Sequence, residues 1–136
     1  VEAAEKKLAG EKVGAGGTAS QSFWDDLRDQ RLPYFSDPKP LWRLSVPSAA
    51  PAFDLPGETL VEWGGALRWL CSDAPVETLR ARARELGGHA TLFRGALPRS
   101  QAFTPLSPAL LAIHQRLKRE FDPAGIFNPG RMYPEF

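Results

Sequence analysis

The sequence predicts an α+β fold: an antiparallel sheet with a central β-hairpin, flanked by helices and closed by a turn-rich C-terminal tail. Three observations predict it. Two strand-like runs, Thr59 to Trp63 and Ala66 to Cys71, flank a Gly64-Gly65 pair, and a Gly-Gly pair supplies the positive φ angles that tight hairpin turns require. Apolar residues recur at helical spacing on both sides of that hairpin. Helices and strands also alternate irregularly, unlike the regular strand–helix succession of a parallel sheet. The run of strand, hairpin, helix and strand is compatible with an incomplete ferredoxin-like arrangement.

Taken in order, Val1 to Ala9 reads as a short amphipathic helix, with Gly10 as a C-cap and Gly14 to Gly17 as a loop. Ser20 or Ser22 is expected to cap a helix through about Arg31, with Asp25 and Asp26 near its start suiting the helix dipole. Phe23, Trp24, Leu27 and Leu32 supply its apolar stripe, and Pro33 ends it. Leu41 to Val46 alternates as a strand does, with Leu41, Arg43 and Ser45 on one face and Trp42, Leu44 and Val46 on the other. Pro47 to Pro56 reads equally as a loop or a short helix.

Pro75 then opens a helix to about Leu86, on which Val76, Leu79, Ala83 and Leu86 share a face. Gly87-Gly88 closes it, and His89 to Arg94 follows as a strand with His89, Thr91 and Phe93 opposite Ala90, Leu92 and, at its end, Arg94. Arg80, Arg82 and Arg84 read as a solvated helix face. Ser107-Pro108 caps the last helix. Leu110, Leu111, Ile113, His114, Leu117 and Phe121 are expected on its inner side, and Asp122-Pro123 stops it. Trp42, Trp63 and Trp69 read as core or hairpin packing.

The 136 residues fit one domain able to bury a core. A net charge of +1 with scattered basic residues argues against a broad nucleic-acid footprint. The single cysteine, Cys71, excludes an internal disulfide and a self-contained Cys-ligated cluster. His89 and His114 lie in different elements and are too few for a zinc site, so no metal is assigned. No apolar run reaches the roughly 20 residues of a membrane helix. The chain begins without Met or a secretory leader and reads like the interior of a longer chain.

The tail is the most informative stretch. In Phe121-Asp122-Pro123-Ala124-Gly125-Ile126-Phe127-Asn128-Pro129-Gly130-Arg131, two turn signals flank the apolar pair Ile126-Phe127. Such a segment folds back on its own domain and presents backbone groups and one amide side chain. From the physics alone a plain C-terminal cap is the favoured reading.

This tail resembles the C-terminal signature of the FAD-linked oxidases of the vanillyl-alcohol oxidase and p-cresol methylhydroxylase superfamily, a helix followed by Phe/Leu-Asp-Pro-x-Gly-x-x-Asn-Pro-Gly-Arg/Lys. Three further segments point to the FAD-binding E subunits of bacterial glycolate oxidases: Gly87-Gly88-His89-Ala90-Thr91-Leu92-Phe93-Arg94, the hairpin Trp63-Gly64-Gly65-Ala66-Leu67-Arg68-Trp69, and Phe23-Trp24 with Leu27-Arg28. The resemblance runs from about Phe23 to Phe136.

The resemblance implies that residues 1–136 are a single cap domain, whose antiparallel sheet lies over the isoalloxazine and shapes the substrate space. In that family a preceding domain grips most of the FAD; it is not within this sequence, so the chain alone is expected to hold FAD weakly. A sheet edge left open by the missing first cap strand is expected as well. By analogy Asn128, Gly130, Arg131 and His89 would lie at the cofactor, and Arg43 and Arg94 are substrate candidates. The implied reaction is oxidation of a 2-hydroxy acid, glycolate, to the 2-oxo acid. The implied partners are the N-terminal FAD domain of the same chain, a second flavin subunit and an iron–sulfur subunit. The implied location is cytoplasmic, at most peripheral to the inner membrane. The rival readings are an assembly module without a catalytic residue, an oxidase of the same superfamily with another alcohol or hydroxy-acid substrate, and an unrelated ferredoxin-like binding domain.

Overall fold

The computed structural model describes residues 17–136. The expected helix over Val1 to Ala9, its Gly10 cap and the start of the following loop lie outside the described residues. The chain divides into two compact units, one ending at Asp37 and the other running from Pro38 to Phe136.

In the first unit, α1 spans Thr18–Arg28. It starts two residues before Ser20 and four before Ser22, the expected caps. Gly17, at φ 74°, takes the N-cap position and no side chain caps the helix. Asp25 and Asp26 therefore fall in its C-terminal half, where they bind cations. Arg28 pairs with Asp25 and Asp29, and Arg31 with Asp26 and Asp29. Leu27 is the buried member of the expected stripe, whereas Trp24 is exposed. The helix stops at Arg28, because Gln30 adopts a left-handed φ of 55° before Pro33 opens a single 3₁₀ turn, Pro33–Ser36.

In the second unit, four strands form one antiparallel sheet: β1 (Leu41–Ser45), β2 (Glu58–Glu62), β3 (Leu67–Cys71) and β4 (His89–Arg94), in the order β2-β3-β1-β4. Helix α2 (Val76–Glu85) connects β3 to β4. Strand β1 sits between those two, so this half is a split βαβ unit with the ferredoxin-like strand order. The first crossover is not a helix. Residues 46–57 run irregularly, which resolves the open reading of Pro47 to Pro56 as a loop.

That loop is held by Arg68, which is buried. Its guanidinium donates to the carbonyls of Gly65, Pro51 and Ala50 and lies 4.9 Å from the Phe53 ring centroid. A planar cation with five donors satisfies several loop carbonyls at once, as buried backbone acceptors require.

The face of the sheet that carries Trp42, Leu44, Leu70, Ala90 and Leu92 packs on Leu79 and Ala83 of α2. In β1 and β4 these are residues that the strand period placed together on one face, Trp42 with Leu44 and Ala90 with Leu92. The hairpin turn is longer than a two-residue loop. Glu62 pairs with Leu67, and Trp63, Gly64 and Gly65 all take positive φ. Trp63 is 80% exposed and is not hairpin packing, because the left-handed turn lifts it off both sheet faces. Trp42 and Trp69 are buried.

Gly87, at φ 76°, and Gly88 end α2 with amide bonds back to Arg84 and Ala83. Gly88 is needed for a second reason: a Cβ there would lie 2.0 Å from the Ser45 carbonyl oxygen. Arg80 corrects the solvated-face reading of the three arginines. It is buried beneath the segment that follows β4.

Helix α3 (Pro108–Phe121) starts as expected, with the Ser107 hydroxyl accepting from the Leu110 amide and Pro108 in the first turn. Leu111 and His114, both expected on its inner side, are half-buried, but the rest of that expected side is not. Leu110, Ile113, Leu117 and Phe121 are all exposed, and no residue of the helix is buried. The apolar stripe is present but faces outward. Among the described residues, no helix is long and apolar enough to cross a membrane.

Candidate functional site

The sheet face opposite α2 carries Arg43 and Ser45 of β1. Thr91 pairs with Arg43 and His89 with Ser45, so His89, Thr91 and Arg43 share one face. Phe93 extends this row and meets Trp69 edge to face at 5.0 Å. Arg43, His89 and Phe93 are exposed, and Thr91 is half-buried.

Beside this row the chain builds a second wall. After β4, residues 101–104 run along the free edge of the strand. The Leu92 amide donates to the Ala102 carbonyl at 2.8 Å. Thr104 Oγ1 accepts from the Ala90 amide at 3.1 Å and donates to the Ala90 carbonyl at 2.7 Å. The hydroxyl thus does what a neighbouring strand would do and closes the edge. Arg80 fixes this segment by donating to the carbonyls of Gln101 and Phe103 while pairing with Glu77.

The tail completes the wall. Asp122, buried after α3, accepts from the Ile126 amide at 3.1 Å, the Phe127 amide at 2.9 Å and Lys118 Nζ at 2.5 Å. Lys118 Nζ also donates to the Phe127 carbonyl. The ammonium at hydrogen-bond distance holds the Asp122 carboxyl below the usual carboxylate range; burial opposes this, and the Phe127 and Ile126 amides reinforce it. Gly125, Asn128 and Gly130 then turn with positive φ, and the Gly130 amide closes on the Phe136 carbonyl. The chain emerges at Tyr133, whose hydroxyl donates to the Thr104 carbonyl at 3.2 Å and whose ring lies 5.8 Å from that of Phe103. Burial raises the Tyr133 phenol pKa, against the pull of the Arg80 cation, with Glu135 adding to the rise.

Between these walls lies an open cleft of about 1040 Å³. Arg43, His89, Thr91 and Phe93 line one side, and Thr104, Leu106, Leu110, Met132 and Tyr133 line the other. Of the residues singled out in the sequence, Arg43 and His89 are thus brought together. Arg94 lies outside the cleft: it pairs with Leu41 beyond a shift in register that follows Leu92. Asn128, Gly130 and Arg131 do not line the cleft. They sit on the exposed tail, just before Met132 and Tyr133, which do.

Thr104 and Tyr133 had not been singled out in the sequence. An aromatic residue directly after the signature turns was the available hint for Tyr133. Thr104 offered none, because its role comes from an irregular segment standing in for a strand.

The comparisons meet this geometry at the same place. The family described as FAD linked oxidases, C-terminal domain, matches residues 95–132, from the end of β4 through the signature tail. The glycolate oxidase subunit GlcE of Escherichia coli (strain K12) is 51% identical over 135 residues, 99% of this chain. The chain belongs to the FAD-linked oxidases, in their C-terminal region. It spans 36% of the length of that curated relative. No solved structure matches it. Membership puts the signature tail and the cleft into one framework, since the segment that identifies the family is also the one that builds the second wall.

Proposed function

We propose that this chain is the cap of a flavin-dependent 2-hydroxy-acid oxidoreductase of the glycolate oxidase type. Its sheet covers the isoalloxazine of an FAD gripped mainly by a preceding domain, and the cleft forms part of the substrate site. The observation that carries this reading is the convergence of Arg43 and His89 from the sheet with Met132 and Tyr133 from the signature tail.

The residues fit the cofactor. Phe93, Leu106, Leu110 and Met132 offer apolar area for a flat ring system, and Arg43, His89 and Thr91 offer polar groups for its heteroatom edge. When bound, flavin supplies the two-electron oxidation of the carbinol carbon. The chain's own residues bind and orient. The planar guanidinium of Arg43 matches a carboxylate in bidentate fashion, and its place in the cleft favours it over Arg94 as the substrate clamp. His89 lines the same side. Asn128, Gly130 and Arg131 belong to the surface that faces the flavin-holding domain. A second flavin subunit and an iron–sulfur subunit are the proposed electron-transfer partners, in a cytoplasmic complex peripheral to the inner membrane.

A second reading is favoured by the outward apolar stripe of α3, which suits an assembly surface without a catalytic group. Arg43→Ala in the full-length protein separates the two. The expected result is retained flavin and assembly, with kcat/KM for glycolate lower by about 10- to 100-fold, the range of one charge-assisted hydrogen-bonded pair. Unchanged kcat/KM would sink the clamp, and lost assembly with normal turnover in the residual complex would favour the interface.

A further inference from the structure

We infer that Thr104 and Tyr133 form a latch that registers the C-terminal segment on β4, and that both act as positioning residues for the cleft. The observation is a continuous chain of bonds. Ala90, next to His89, is gripped on both its amide and its carbonyl by the Thr104 hydroxyl. The Thr104 carbonyl in turn receives the Tyr133 hydroxyl. Arg80 anchors the neighbouring carbonyls of Gln101 and Phe103 from the buried side.

The geometry makes this more than packing. The wall segment 105–107 follows Thr104 in the chain and the tail is bonded to it through the Tyr133 hydroxyl, so both converge at Thr104. A hydroxyl that serves one backbone amide and one carbonyl allows a single register. If it slid by one residue, both Ala90 groups would lose their partner, and an unpartnered backbone group in a protein interior is costly. The latch thus fixes the distance between the His89 side of the cleft and the Met132–Tyr133 side. The Tyr133 hydroxyl donates its proton within the protein, and the residue lines the cleft.

The functional half of the inference rests on the cap reading; the structural half does not. The test uses the full-length protein with Thr104→Val, Thr104→Ser and Tyr133→Phe. Hydrogen exchange of the Ala90 amide reads the latch directly. Thr104→Val is expected to speed that exchange about tenfold or more, the ratio expected for one lost hydrogen bond, and Thr104→Ser to restore it. Thr104→Val and Tyr133→Phe are both expected to raise the KM for glycolate about 3- to 10-fold, with kcat and flavin content within about twofold.

Unchanged Ala90 exchange in Thr104→Val overturns the latch. Faster exchange with wild-type KM in both variants overturns its positioning role. Should Arg43→Ala also leave kcat/KM untouched, the clamp fails with it, while the exchange result still decides whether the latch exists.

Discussion

At the scale of single residues, the second unit is organised by three buried charges, each holding a loop rather than a ligand. Arg68 holds residues 50–53, Arg80 holds 101–103, and Asp122 holds 126–127. Asp122 makes a pH dependence testable. Its carboxyl is depressed in the folded chain, whereas an unfolded Asp titrates near 3.9. A depressed carboxylate contributes stability above its unfolded pKa, and that contribution is lost as pH falls through the folded value. The Ile126 and Phe127 amides are therefore expected to stay protected from exchange at pH 5–7 and to lose protection progressively below about pH 4. Asp122→Asn should show the same loss at neutral pH, since the amide cannot pair with Lys118 as a charge. Protection of those two amides that is flat with pH would contradict the assignment. None of the three roles was legible in the sequence. Arg80 sits in a row of alternating arginines and alanines that reads as a wet helix face, and only the segment folded over it makes it interior. Asp122 was legible as a helix stop but not as the acceptor that shapes the signature turns.

At the scale of elements, periodicity and punctuation predicted most of the fold. The alternation in 41–46 and 89–94 grouped correctly the residues that share a face, because a half-buried strand enforces a period of two. The Gly-Gly pairs placed the hairpin and the end of α2, since backbone at positive φ or in close approach to a carbonyl excludes most side chains. Direction is what periodicity does not carry. Ile113, Leu117 and Phe121 have the right spacing on α3, yet they are exposed while Leu110 lines the cleft, and a spacing cannot say whether its partner lies in the same chain. The outward stripe carries an expectation about stability. Ile113→Ser with Leu117→Ser should change the unfolding free energy of the 136-residue chain by no more than about 1 kcal/mol, because exposed sites tolerate substitution. The same pair should weaken assembly of the full-length protein. A loss of several kcal/mol in the 136-residue chain would show instead that the stripe is core, since truncating two buried aliphatic side chains costs about 2–5 kcal/mol each.

At the scale of the whole molecule, the question is how much of a flavin site these residues form by themselves. The cleft is open, and its lining offers apolar area and a few polar groups suited to a ring. Nothing among the lining residues resembles a phosphate cradle: no glycine-rich turn opens a helix there, and the glycines present, Gly87 and Gly88, end α2 rather than start a helix. Recognition of the ring without recognition of the pyrophosphate has a distinctive signature. A ring-only flavin and FAD should bind the 136-residue chain with nearly equal affinity, both weakly, on the order of 1 mM or about 4 kcal/mol. The adenine and phosphates would contribute nothing, because they find no partner, and one exposed ring face leaves little surplus over the cost of association. Titration of the chain with each flavin, followed by quenching of flavin fluorescence, reads the ratio directly. FAD binding more than about tenfold tighter than the ring alone, or a chain that purifies with stoichiometric yellow flavin, would mean that phosphate recognition resides in these residues. The proposed division of labour between a cap and a preceding domain would then have to be redrawn.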